Sequence, residues 1–170
     1  MIHDSRHCLH CGTPTAPRAI EGRERRACHT CGWVHWLNPA SAAAGLILVE
    51  RRVLLVRRSI QPCAGQWALP AGYQEIDEPA EEAARREIRE ECGLEVEIEG
   101  LHALLWIPGP HRPANLAVFR CRPVTHDIRP GPDVADAAWF DLAALPQDLA
   151  FDNGPQILWP LRDKHLERGT

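Results

Sequence analysis

A chain of 170 residues with 45% apolar and 25% charged residues can form one full domain with a small appendage, and its core needs no covalent staples. Its formal charge of −4 excludes a global basic footprint for nucleic acid or an anionic membrane, although Arg51, Arg52, Arg57 and Arg58 cluster locally. The opening MIHDSRHCLHCG has no apolar run of the secretory kind, and no stretch approaches the length needed to span a bilayer. The expectation is a cytoplasmic protein with no membrane partner, whose cysteines are thiols or metal ligands and not disulfides.

Cys8 and Cys11 form one C-x-x-C pair and Cys28 and Cys31 a second, with sixteen residues between the pairs. Four thiolates at this spacing predict a tetrahedral all-cysteine zinc site, and Gly12 and Gly32 supply the permissive backbone of a tight knuckle after each pair. The spacer is polar, with Pro14, Pro17 and a basic run from Arg23 to Arg26. The module is too short to bury a core, so metal binding would supply most of its folding free energy. His10 and His29 are nearby, but four cysteines already close a structural site and leave no open position for chemistry. Cys63, Cys92 and Cys121 lack such spacing and are expected as small apolar fillers.

GWVHWLNP then makes a hinge ending at Pro39, which divides the chain into a ribbon at 1–37 and a main domain at 38–170. Ala42–Val49 and Val53–Val56 are strand-like runs joined by a charged turn around Glu50–Arg52, and Gln66–Leu69 is a further short strand. Pro79–Cys92 is helical, with proline in the first turn and Gly93 as its stop. Ala80, Ala84, Ile88 and Cys92 recur every four residues as its buried stripe. Leu94–Ile107 predicts one long or two short strands, Leu116–Cys121 another, and the proline-rich PGPHRPAN separates them. Ala138–Phe140 is expected as an inner strand followed by a turn at DLAALP. Gln156–Leu166 predicts a closing helix, with Pro160 in its first turn or kinking it. Mixed strands with two helices imply an α/β fold, its sheet covered on both faces.

From Gly72 to Leu94 the chain carries eight acidic side chains, five of them within the predicted helix. Glu87, Glu90 and Glu91 lie three and four apart and share a face, where like charges destabilise a helix by a few tenths of a kcal/mol per pair. A divalent cation reverses that sign by turning repulsion into shared coordination, and oxygen-only ligands suit magnesium or manganese. The alternative is a solvated acidic face balanced by Arg85, Arg86 and Arg89.

The pattern around those glutamates resembles the Nudix box, G-x5-E-x7-R-E-U-x-E-E-x-G-U with U aliphatic. Gly72 opens it, Glu78 follows, Arg86 to Glu91 form its REUxEE core, and Gly93-Leu94 close it. WALPAG, from Trp67 to Gly72, is similar to the family's lead-in, with Ala71 where many members have a second glycine. The ribbon followed by VHWLNP is similar to the amino-terminal module of a zinc-bearing Nudix branch. The resemblance implies an α/β/α sandwich with a mixed sheet and hydrolysis of a nucleoside diphosphate linked to a moiety X, a small-molecule nucleotide. It implies that Glu87, Glu90 and Glu91 hold catalytic magnesium with the Ala71 carbonyl, and Glu87 is a candidate base as well. It implies that Arg86 pairs with Glu78 or a neighbouring glutamate and orients the carboxylates, and that Gly72 turns the loop tightly over the metal. A homodimer is a further implication, and nucleic acid is not an expected partner.

Family members often add a carboxylate far downstream of the box, and GPDVADAAWFDL offers Asp133 and Asp136. Toward X, NADH-hydrolysing relatives carry an S-Q-P-W-type sequence after the box that is absent between Glu95 and Cys121, and diadenosine polyphosphate hydrolases a tyrosine that is also absent there. ADP-ribose hydrolases tend to carry a proline where Pro110 stands, and the LPAG lead-in and the ribbon before a Nudix-like domain also resemble enzymes acting on ADP-ribose or FAD, the preferred substrate class. Trp106, Trp36 or Trp67 could stack on adenine or flavin, and His111 and Arg112 could contact phosphate. The competing readings are an NAD(H) or capped-RNA pyrophosphatase and a non-catalytic nucleotide-binding regulator with a zinc ribbon.

Overall fold

The computed structural model describes residues 5–108 and 112–167. The chain divides into two compact units, Met1–Ala40 with Ile107–Ala114, and Ser41–Trp106 with Asn115–Thr170.

Two similar knuckles frame the first unit. The Gly12 amide donates to the Cys8 carbonyl at 2.9 Å and the Gly32 amide to the Cys28 carbonyl at 3.2 Å. Both glycines have φ near +75° (73° and 76°), as the expected knuckles require. Strand β1 (Thr15–Ile20) pairs antiparallel with β2 (Arg23–Cys28) through a two-residue turn at Glu21-Gly22. Both turn residues have positive φ, as the tightest hairpins demand. The spacer is therefore a hairpin, although its sequence shows no apolar alternation.

The second unit is a seven-stranded sheet between two helical layers. Its strands are β3 (Ala40–Val49), β4 (Arg52–Arg58), β5 (Trp67–Ala68), β6 (Ala71–Tyr73), β7 (Val96–Ile107), β8 (Ala114–Pro123) and β9 (Val134–Asp141). The order is β5-β4-β3-β8-β7, with β6 on β3 and β9 on β4. The sheet is mixed: β4 runs antiparallel to β3, β5 and β9, while Trp67 bridges Leu149 in parallel. β9 and β8 extend beyond the apolar cores that marked them in the sequence.

Helix α1 (Ala80–Cys92) begins one residue later than expected, because Pro79 is extended and serves as its N-cap. Gly93 ends it in the left-handed conformation, its amide donating to the Arg89 carbonyl. The fully buried stripe is Ala83, Ala84, Ile88 and Cys92, and Ala80 is only partly covered. Gly154–Leu158 forms a π-turn that runs into α2 (Trp159–Glu167), so Pro160 lies inside one continuous helical stretch, directly after its irregular turn.

β4 shows why the sandwich is two-sided. Leu54 and Val56 point into the cluster containing Ile88 and Cys92 of α1, whereas Val53 and Leu55 point into the cluster containing Ile157, Leu158 and Leu161. A strand buried on both faces reads as an unbroken apolar run, which is what VLLV is. Truncating fully buried Ile88 to alanine should cost about 2–5 kcal/mol. Among the described residues no helix is long and apolar enough to cross a membrane.

Candidate active site

The acidic face of α1 is organised around Arg86. Its guanidinium meets Glu78 Oε1 at 2.6 Å through Nη2 and Glu78 Oε2 at 3.1 Å through Nε. Nη1 donates to Glu87 Oε1 at 2.7 Å and to Glu90 Oε2 at 3.2 Å, and Nη2 also donates to the Tyr73 carbonyl at 3.0 Å. One planar five-donor group thus fixes three carboxylates and the end of β6. The Arg86 hydrogen bonds hold Glu78 below the usual carboxylate range, and Glu78 in turn raises Arg86 further above its already high value.

Glu87 and Glu91 lie on the partly buried side of this face, while Glu90 is exposed. Burial is the main cause that pushes Glu87 up, against the pull of Arg86. Burial also pushes Glu91 up to about 7; the Ala71 amide and Arg58 pull it down, while Glu87 and Asp133 add to the rise. The Ala71 amide donates to Glu91 Oε2 at 3.0 Å, so Ala71 meets the cluster through its N–H. Oxygen ligands of this kind suit a hard divalent cation, but among the described residues the group of potential ligands whose donor atoms already converge within 4.8 Å is the four cysteines and not these glutamates.

Gly72 is not in a turn. It lies within β6 opposite Ala43, and its φ is not in the left-handed region. The expected turn role is corrected: a Cβ at Gly72 would overlap the Glu87 carboxylate. Glycine is needed there because the carboxylate sits directly against the strand.

The cysteines come together as a second donor set. Cys8 Sγ lies 3.6 Å from Cys31 Sγ, Cys11 Sγ lies 3.5 Å from Cys28 Sγ, and all four sulfurs fall within 4.8 Å of one another. A tetrahedron of Zn–S bonds of about 2.3 Å has edges of about 3.8 Å, so the cluster has zinc dimensions. The His10 amide donates to Cys8 Sγ at 3.3 Å, so the backbone of His10 supports a thiolate there.

A family profile described as the NUDIX domain matches residues 38–160. The chain belongs to the Nudix family. Its fold superposes on a NUDIX hydrolase from Nitrosomonas europaea with a TM-score of 0.82 at 32% identity, covering 96% of this chain and 92% of that one. It is 37% identical over 120 residues to an ADP-ribose pyrophosphatase from Methanocaldococcus jannaschii, covering 69% of this chain and 70% of that protein. It is also 37% identical over 150 residues to an NAD-capped RNA hydrolase from Chromobacterium violaceum, covering 86% of this chain but 54% of that protein. The chain thus spans about half the length of that relative.

The Nudix domain holds further residues that the sequence did not single out. Arg58 ends β4; its Nε donates to the Pro62 carbonyl at 2.9 Å, its guanidinium lies 4.9 Å over the Phe151 ring, and its charge is felt at Glu91. In sequence it was one of several clustered arginines. Gly131 lies against the C-terminal end of α1: its amide donates to the Glu91 carbonyl at 3.1 Å, and a Cβ would overlap the Glu90 carbonyl. With the Arg129 amide on the Cys92 carbonyl at 2.8 Å, this loop caps the turn that carries Glu90 and Glu91.

Asp133 is exposed, and its charge reaches Glu91. Asp136 lies in β9 opposite Arg57 and accepts from the Ala137 amide at 2.8 Å. Pro110 and His111 lie outside the described residues, and Arg112 is exposed and belongs to the first unit. Trp67 packs edge-on against Phe140 at 4.7 Å, Arg25 covers Trp36 at 4.4 Å, and Trp106 is 54% exposed.

Proposed function

We propose that this chain is a magnesium-dependent pyrophosphohydrolase that cleaves the diphosphate of a nucleoside diphosphate joined to a second moiety, ADP-ribose or FAD, with release of AMP. The observation that carries this is the half-buried Glu87–Glu91 face locked by Arg86 and Glu78. The 37% identity to an ADP-ribose pyrophosphatase supports the substrate class.

In this reading Glu87, Glu90 and Glu91, with the Ala71 carbonyl, hold the divalent ion. Magnesium held there would neutralise charge on the diphosphate and make water a better nucleophile. Glu87 serves as a ligand or removes the proton of the attacking water, and its burial among carboxylates suits either task. Arg86 and Glu78 keep the carboxylates at fixed spacing without touching substrate. Arg58, steadied by Pro62 and Phe151, offers its remaining donors to a phosphate oxygen. Asp133 is the better placed of the two downstream aspartates to act as a further ligand or base, because its charge reaches Glu91. Cys8, Cys11, Cys28 and Cys31 hold a structural zinc. The division into a ribbon at 1–37 and a hydrolase domain at 38–170 belongs to the same proposal, and the profile match beginning at 38 supports it.

The second reading, an NAD(H) or capped-RNA pyrophosphatase, draws on the 86% of this chain that matches an NAD-capped RNA hydrolase. A substrate panel with magnesium separates the two. AMP release from ADP-ribose or FAD far above NADH and diadenosine polyphosphates is expected. Turnover of NADH or NAD-capped RNA alone would reverse the assignment, and no turnover of any substrate would favour a binding-only regulator.

A further inference from the structure

A cavity of about 250 Å³ opens between β7, β8 and α2, lined by His102, Arg120, Leu161, Lys164 and His165. Four of these five side chains are basic, and the fifth, Leu161, belongs to the core cluster on the α2 side of the sheet. The carboxylate helix α1 packs into the other cluster, so the two sites lie on opposite faces of one sheet. A −4 chain that gathers two histidines, an arginine and a lysine around one hollow accepts a local cost in repulsion.

Three acids on the elements that line the cavity have basic partners. Glu99 approaches Arg120 at Nε, at 3.5 Å, and a guanidinium carries further donors for a second acceptor. Glu97 is engaged by Arg122, and Asp163 by Arg162 at 2.9 Å. The excess positive field is felt at His102, which burial, Arg120 and Lys164 together hold below its ordinary value. Two imidazoles alone could suit a transition metal, but the adjacent guanidinium and ammonium repel a cation and leave an anion as the fitting guest. At about 250 Å³ the hollow is smaller than the usual range for whole drug-sized ligands, so it holds one small anionic group and not a dinucleotide.

We propose that this cavity is a binding site for a phosphate dianion, free or as the end of a phosphomonoester, separate from the site of hydrolysis. Arg120 and Lys164 supply the charge-assisted hydrogen bonds, and His102 and His165 line the sides.

The test is a nuclear magnetic resonance titration of the zinc-loaded full chain, without added divalent ion so that phosphate is not drawn to the carboxylate helix. The His102 and His165 ring signals are followed against inorganic phosphate, AMP and, at matched ionic strength, sodium chloride. Saturable shifts of both rings with phosphate or AMP, and none with chloride, are expected; a response to AMP alone would assign the site to phosphomonoesters. Lys164→Ala should weaken binding roughly tenfold. Glu99→Gln, which frees Arg120, should tighten it several-fold, while Glu97→Gln, removing an equal charge paired elsewhere, should leave it unchanged. Shifts that chloride reproduces, or equal affinity in Lys164→Ala and the unaltered chain, would overturn the proposal. Since no turnover is read, the result is independent of the hydrolase assignment.

Discussion

The two donor sets of this chain solve opposite problems. The cysteine cluster joins four soft ligands from two knuckles with little apolar core beneath them, whereas the glutamates of α1 stand on a helix whose opposite stripe is fully buried. In the first, a bound zinc would make ion and fold one thermodynamic event. In the second, Arg86 offsets part of the repulsion among the carboxylates before any ion binds. A closed thiolate set has no open coordination position and is structural, while an open carboxylate face can exchange substrate and water. On the proposed function, catalysis falls to the site carried by the packed helix and not to the one that depends on its ion to fold.

The contrast is broken most forcefully at Glu91. Glu91→Gln should lower kcat for AMP release by roughly a thousandfold or more with the fold intact, as steady-state rates and circular dichroism would report. Gly72→Ala comes next, because the new methyl overlaps the Glu87 carboxylate. A displacement on the ångström scale should cost about a hundredfold in rate, with zinc content unchanged. Glu78→Gln removes the main anchor of Arg86 and should cost about ten- to a hundredfold, together with weaker magnesium affinity in a calorimetric titration. Chelation of zinc sharpens the comparison from the other side. It should release one zinc per chain and abolish amide-exchange protection in β1 and β2, while protection in α1 persists. Equal loss in α1 would show that the two ions are not separable as described.

The smallest effect is on pH. In the metal-free protein Glu91 titrates near 7, raised from its ordinary 4.5 chiefly by burial. A carboxyl whose folded-state value is raised contributes stability below the unfolded value and loses it as pH rises through the folded one. Metal-free stability should therefore decline between about pH 4.5 and 7, and Glu91→Gln should flatten that slope. Divalent affinity should run the other way and fall below about pH 7, as protons compete for the ligand.

Much of this was legible in the chain. The helix and its Gly93 stop follow from period and capping, within one residue at the start, and the two C-x-x-C pairs announce a cluster that the sulfur positions reproduce. The β1–β2 hairpin was hidden because its residues are polar and arginine-rich on both faces, so no alternation marks it. Gly72 was recognisable as required but not for the right reason, since the constraint comes from a side chain on another element. Arg58 and Gly131 escaped for the same cause. One needs Pro62 and Phe151 to fix its guanidinium, and the other needs the helix end against it. Tertiary neighbours of this kind leave no local pattern to read.

The most direct measurement is a manganese titration of the zinc-loaded chain, followed by electron paramagnetic resonance, in parallel for the unaltered protein and Glu91→Gln. The account predicts saturable uptake in the first and at least a tenfold loss of affinity in the second. Equal affinity in both, or no uptake in either, would contradict the assignment of the α1 carboxylates as the hydrolytic metal site.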